Sequence, residues 1–503
     1  MCNPELSLPV RNVVVAGAGP SGLLLSALLL HRNRTQSDVR YRVTLIDAGQ
    51  DYGKLDPKTE LKKHRSWMIG LAGHGLDALR SIPKLYDEYV SEVGVRLTSG
   101  SLHIGAREFK QSVGTEEGSA NEGYIVDRNY ICAAVARYLN DEHGNGDDAS
   151  FSTMYDTKIL YVDGDGRRVL VRDADGSNER YVDYELLVGC DGIRSRVREA
   201  ILQRHRDFEC DVGDIFSTFK AVHVRCPTSV DPSSIHLLPS ALPLMQGIAL
   251  PEKGDMLNIS FGVPRQNFDR LASEMKSDDP AIVAKYLKDN FKAFELDDYD
   301  DFARQWIDQR WNRTGQVHCS FYHSAPNQIV IMGDAAHATS PSIGMGMNTA
   351  LRDAAEFVRL LDKHDDDVKS VLPAFSDARV KEGNSLTDLA MNLYCLDERA
   401  QFLEVLHMVI RSGLSKLFGP RLVAKHPQEL IGQVGIDLSE VYAESVRQGI
   451  MTKHRRINDK IRRDHFEAES GMVKPVEKGF GGTKAIIAAS ALAVVAVAVG
   501  MTR

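Results

Sequence analysis

The chain opens with continuous apolar runs separated by turn residues. Asn12–Ala16 is a short valine-rich run, Ser21–Leu30 is apolar on every side, and Tyr41–Asp47 is a second run. Short apolar runs read as strands, and a segment apolar all round reads as a buried helix, so a βαβ unit is expected. Further on, Gly73–Leu85 reads as helix, Leu97–Ile104 as strand, and Asp127 starts another helix. Lys158–Val162, Arg168–Arg172 and Glu179–Tyr184, with Asp/Gly turns between them, predict a β-meander. Leu186–Gly189 and Gln328–Met332 are fully apolar and read as buried strands. The stretch Phe216–Phe321 is strand-rich with interleaved helices, and from Asn348 onward the pattern is helical, through Phe375–Phe418 and Leu438–Phe466.

The far C-terminus breaks this pattern. Ala485–Met501 carries no charge and lies between Lys484 and Arg503. As a helix it would span roughly 26 Å, slightly less than a ~30 Å hydrocarbon core, and it reads as a transmembrane tail anchor. The expected class is α/β. A Rossmann-type domain over 10–215 and 326–365 holds an inserted sheet domain over 216–325. A helical region (366–470), a glycine-rich linker (471–484) and the transmembrane helix (485–501) follow.

Composition narrows the partners. With 61 basic against 69 acidic residues the net charge is −8, and without a basic block nucleic-acid binding has no support. Seven cysteines without a CxxC pair argue for free thiols in a reducing compartment, and against a disulfide framework or zinc site. Met1–Arg11 has no apolar segment of a secretory signal.

Three motifs carry chemistry. Gly17-Ala18-Gly19-Pro20-Ser21-Gly22 lies between a strand and a helix. Its glycines suit a tight turn, close approach to a pyrophosphate and close helix–strand packing, with the helix N-terminus facing the phosphates. Asp47, 25 residues after Gly22, is placed to accept from an adenosine ribose. Cys190-Asp191-Gly192-Ile193-Arg194-Ser195-Arg196-Val197-Arg198 follows the next buried strand. Gly333-Asp334-Ala335-Ala336-His337 follows another, with Asp334 placed for a ribityl hydroxyl. Pro341-Ser342-Ile343-Gly344-Met345-Gly346-Met347-Asn348 then opens a helix whose N–H groups suit negative charge on a reduced flavin. Taken singly, each motif is better read as a capped turn. Together, in this order, they point to FAD. The remaining candidates have plain readings: His337 as a structural histidine, Cys190 as a buried hydrophobe, and Trp67, Trp306 and Trp311 as core or surface aromatics. Met345 and Met347 suit loop packing and the substrate face of a flavin equally.

With these motifs in order over residues 10–365, the chain resembles the group A FAD-dependent monooxygenases of the p-hydroxybenzoate hydroxylase type. Arg65-Ser66, Gly75–Leu79, Asp127-Arg128-Asn129, Gly344–Asn348, Leu372–Phe375 and, in Asp388–Met391, Tyr394 and Arg399, the C-terminal region are similar to the branch that hydroxylates kynurenine. The resemblance implies that Gly17, Gly19, Pro20, Ser21, Gly22, Asp47, Arg128, Asp191, Gly333, Asp334, Pro341, Gly344, Gly346, Met347 and Asn348 hold FAD. It implies NADPH as reductant without a second Rossmann unit, O2 activated at the flavin C4a position, and transfer of oxygen to a small aromatic substrate. No side-chain general base is assigned; Met345, Met347 and Tyr394 are pocket candidates. The carboxylate-binding Arg and Tyr of that branch align with Ser101 and Val113. A tail-anchored protein with a cytosolic catalytic domain is expected, on the mitochondrial outer membrane or the endoplasmic reticulum. The alternatives are a membrane-associated flavin-dependent epoxidase of an isoprenoid or other lipid, and a non-catalytic tethered flavoprotein.

Overall fold

The computed structural model describes residues 8–470 apart from 36–37, 65, 113–121, 145–149, 420, 432 and 434. The chain falls into two units. The first comprises the residues up to Gly94, Val126–Gly213 and Gly315–Thr387; the second comprises Val95–Ile125, Asp214–Thr314 and the residues from Asp388 on.

The first unit is built on a parallel sheet. The valine-rich run forms the strand Val10–Ala16, flanked by Arg40–Ile46 on one side and Leu186–Gly189 on the other. Phe151–Met154 extends the sheet beyond Arg40–Ile46, and Ile329–Ile331 beyond Leu186–Gly189, all parallel. His323–Ser324 closes that edge antiparallel. The helix Pro20–Thr35 is buried at every position from Ser21 to Leu30, as an all-round apolar segment must be. After Val10–Ala16 the chain turns to one side of the sheet, and after Leu186–Gly189 it ends up on the other. This is a topological switch point, where a crevice opens beyond the carboxyl ends of the strands. Gly17, Asp47, Asp191 and Gly333 all follow strands at that edge. The expected meander forms from Thr157–Asp163, Arg168–Asp173 and Arg180–Asp183.

In the second unit Cys210–Arg225, Met256–Pro264, Met245–Glu252 and Ser234–Leu242 lie antiparallel in that order. The helices Pro280–Asn290 and Tyr299–Asp308 cover the sheet with Leu287, Phe302 and Trp306, which pack with Ile259 and Phe261. Ser99–Ile104 pairs in parallel with Ser234–Leu242 and antiparallel with Arg107–Ser112, turning at Gly105 with φ +60°. Residues 95–125, read from sequence as part of the 10–215 segment, therefore join the second unit. The strand expected over Leu97–Ile104 is the first arm of a hairpin, because Gly105 takes a left-handed conformation and turns the chain back.

The helix expected over Phe375–Phe418 is two helices, Val368–Asn392 and Glu398–Phe418. Asp397 divides them by accepting the Ala400 N–H at 2.8 Å as an N-cap. Leu438–Arg447 and Ile450–Glu469 follow. Among the described residues no helix is long and apolar enough to cross a membrane; the anchor expected at 485–501 lies outside them.

Candidate active site

The Gly17–Gly22 turn is held by contacts that only glycine allows. Gly17 has φ +104°, and a Cβ there would lie 2.3 Å from the Cys190 carbonyl oxygen. A Cβ on Gly22 would lie 2.0 Å from the Gly17 carbonyl oxygen. These two glycines let the turn fold against the Cys190–Asp191 turn of the neighbouring strand. Gly19 differs: the nearest atom to its Cβ position is Arg128 Nη2, at 3.9 Å. Among the described residues only this flexible side-chain end comes within 4 Å of that point of the loop. Pro20 is the first residue of the helix, where its missing N–H is harmless, and buried Ser21 packs under Gly333.

Asp47 secures the loop. One carboxylate oxygen accepts from Ala18 N–H at 2.6 Å and the other from Gly49 N–H at 2.6 Å. Arg128 opens the helix Arg128–His143, which is capped by Asp127. Desolvation works against the Arg128 charge, but the fields of Cys132, Asp334, Tyr52 and Asp47 outweigh it and raise its pKa.

Asp191 Oδ2 accepts from the N–H groups of Arg196 at 2.7 Å and Val197 at 3.3 Å. Its Oδ1 is buried without a hydrogen-bond partner among the described residues. Burial raises the Asp191 pKa, opposed by the hydrogen bonds from Ser195, Val197 and Arg196. An orphaned buried oxygen calls for a donor from elsewhere. Arg198 ties this motif to the third: Nη2 donates to Ile193 O at 2.6 Å and Nη1 to Ala335 O at 2.7 Å.

Gly333, at φ +57°, donates its N–H to Asp353 Oδ2 at 2.9 Å, and Asp334 stands exposed just beyond it. Asp353 was not singled out from sequence, yet it organises this corner. Fully buried, it takes His337 Nε2 at 2.6 Å on Oδ2 and Arg379 Nε at 2.7 Å on Oδ1. Burial alone would raise its pKa; His337 and Arg379 outweigh this and hold it at about 2. His337 is thus structural, as its motif suggested.

Ser340 caps the turn Pro341–Ile343, Gly344 is left-handed at φ +66° and uncovered, and the helix Gly346–Lys363 begins. Its first N–H groups have no acceptor within the helix. The Asn348 side chain, expected at the flavin, is saturated elsewhere. It donates to Gly70 O at 2.9 Å and accepts from Ala72 N–H at 3.0 Å, so only its backbone N–H remains available. Met347 is buried and Met345 half-buried. Tyr394 belongs to the second unit, in the turn between the two long helices, and its carbonyl accepts from Asn458 Nδ2 at 2.9 Å. The described cysteines are free thiols. Ser101 is buried with its hydroxyl 3.2 Å from that of Ser234, and Val113 lies outside the described residues.

The residues fit FAD. The crevice offers an uncovered glycine for close approach of a pyrophosphate, an orphaned carboxylate oxygen, an exposed Asp334 and a helix N-terminus. A model of the family described as FAD binding domain matches residues 128–379, half of the chain. The chain belongs to this family.

Relatives place it among FAD-dependent monooxygenases. Kynurenine 3-monooxygenase of Saccharomyces cerevisiae is 23% identical over 81% of this chain and 86% of its own length. Violacein synthase of Chromobacterium violaceum is 29% identical over 48% of this chain, and the match spans 55% of that protein. Among solved structures, P. aeruginosa PqsL in complex with 2-aminobenzoylacetate superposes with a TM-score of 0.55 at 18% identity, covering 76% of this chain and 95% of that one. That likeness is one of fold. The protein is an FAD-dependent monooxygenase of the aromatic-hydroxylase type, and the family model with the kynurenine 3-monooxygenase relative favours that reading over the epoxidase and non-catalytic alternatives.

Proposed function

We propose that the protein uses NADPH and O2 to hydroxylate a small aromatic compound with FAD seated at the switch point of the first unit. The observation that carries this is the convergence of three turns, Gly17–Gly22, Cys190–Asp191 and Gly333–Asp334, at the carboxyl ends of adjacent parallel strands. The Gly17–Gly22 backbone and the helix N-terminus at Pro20 take the pyrophosphate, with Gly19 leaving room for it. Asp47 anchors the loop and retains lone pairs for a ribose hydroxyl. Asp191 Oδ1 and Asp334 accept hydroxyl or ring N–H donors, and Arg128 pairs with phosphate charge. When bound and reduced, FAD supplies the activation of O2 and the transfer of one oxygen atom. The N–H groups at Gly346–Asn348 stabilise negative charge beside them, and the buried Met347 keeps that end dry.

Kynurenine is the first substrate to test because of the relative named for it. The carboxylate clamp of that branch has no counterpart at Ser101, so a panel is needed. The purified protein is assayed for NADPH oxidation with kynurenine, other aromatic acids, phenols and isoprenoids, with product hydroxylation read by mass. Stimulation by an aromatic compound with matching hydroxylated product is expected; stimulation by isoprenoids alone overturns the aromatic reading. We also propose that residues 485–501 anchor the protein to a membrane, with the mitochondrial outer membrane favoured over the endoplasmic reticulum. A chain ending at Glu477 is then expected in the soluble fraction, and its retention in the membrane pellet contradicts the anchor.

A further inference from the structure

The second unit holds two buried histidines that face each other in an arrangement neutral rings do not sustain alone. His103 and His236 are 5% and 0% exposed. His103 Nδ1 lies 3.1 Å from the Ala293 carbonyl oxygen and His236 Nε2 lies 2.9 Å from the Asp231 carbonyl oxygen. A carbonyl only accepts, so each of these nitrogens carries the proton of its ring. A neutral imidazole has one N–H. His103 Nε2 and His236 Nδ1 therefore present lone pairs to each other at 3.0 Å. Two facing acceptors repel, and a cation between them removes the conflict.

The sheet supplies a third donor. His103 and Glu108 are directly opposed across the hairpin, and His236 sits on the adjacent parallel strand beside Ser101, two residues from His103. The three side chains thus share one face, and their donor atoms all lie within 4.8 Å of one another. We infer that His103, His236 and Glu108 form a binding site for a divalent transition-metal ion, with zinc the best match to two imidazoles and a carboxylate. Metal–nitrogen bonds of about 2.0–2.1 Å across that nitrogen pair subtend roughly 90°, so a few tenths of an ångström of separation reach tetrahedral geometry. The backbone carbonyls of Ala293 and Asp231 hold each ring by its distal N–H, the usual support for a metal-bound histidine. His103 and Glu108 also border a cavity of 450 Å³ lined by Lys288, Lys292 and Tyr299. None of the residues assigned to FAD belongs to this site.

The test uses the tag-free, FAD-loaded full chain, stripped with EDTA and titrated with Co2+ as probe. One equivalent is expected to bind with the visible d–d absorption of a nitrogen–oxygen site, and Zn2+ is expected to displace it. Glu108→Gln is expected to weaken Co2+ binding by more than about tenfold, the scale that even outer-shell losses produce, and His236→Gln to abolish the spectrum. Glu108 is exposed on the hairpin, so its variant reads binding without disturbing the core, and unchanged flavin absorbance checks its fold. A wild-type chain that binds no Co2+, or Co2+ binding that Glu108→Gln leaves unaltered, overturns the site.

Discussion

At the scale of single residues, the Gly17–Gly22 loop separates folding from cofactor binding. Gly22→Ala drives a Cβ into a backbone oxygen 2.0 Å away, where neither partner can yield. Gly19→Ala meets no protein atom closer than 3.9 Å. Gly19→Ala is therefore expected to keep the thermal stability of the FAD-free protein while losing FAD affinity, whereas Gly22→Ala loses both. Thermal unfolding of the stripped proteins, paired with FAD titration, checks this; equal FAD affinity in Gly19→Ala and wild type would contradict the seat of the pyrophosphate. These glycines were legible in the sequence because the motif sits between an apolar strand and an apolar helix. The role of the Asn348 side chain was not. Its partners are the backbone of Gly70 and Ala72, some 276 residues away for the latter, and no local pattern marks them.

At the scale of elements, Asp353 joins the turn after Ile329–Ile331 to the helices Gly346–Lys363 and Val368–Asn392. Replacing it by Asn removes the hydrogen-bonded counter-charge of buried Arg379, at a cost of roughly 3–5 kcal/mol. A lower Tm is the expected result, and an unchanged Tm would refute the role given to Asp353. The pH dependence has a definite sign. Its folded pKa, about 2, lies below the unfolded value near 3.8, so its contribution is present above about pH 4 and is lost as pH falls toward 2. Acid unfolding of the wild type is expected to be steeper across that window than that of Asp353→Asn. In sequence Asp353 looks like any charge on an amphipathic helix; its importance comes from two partners that only tertiary packing delivers. The break between the two long helices had a local signal, since Asp397 is a good N-cap residue, but the apolar periodicity on both sides masked it. The same limit hid His103 and His236, which lie on strands 133 residues apart and meet only through sheet register.

At the scale of the molecule, the apolar runs sufficed to foresee the parallel sheet and the meander, and the order of the motifs an FAD-dependent monooxygenase. The partition of residues 95–125 was not legible, because it depends on Ser99–Ile104 finding Ser234–Leu242 in parallel. Local hydrophobic pattern does not encode long-range pairing of that kind. The central claim is that the switch point of the first unit holds FAD. The most direct measurement is the visible spectrum and extractable flavin of the protein purified without added cofactor. The account predicts flavin absorbance with about one FAD per chain, released on denaturation and rebound by the stripped protein. A colourless protein that, correctly folded, takes up no FAD would contradict it.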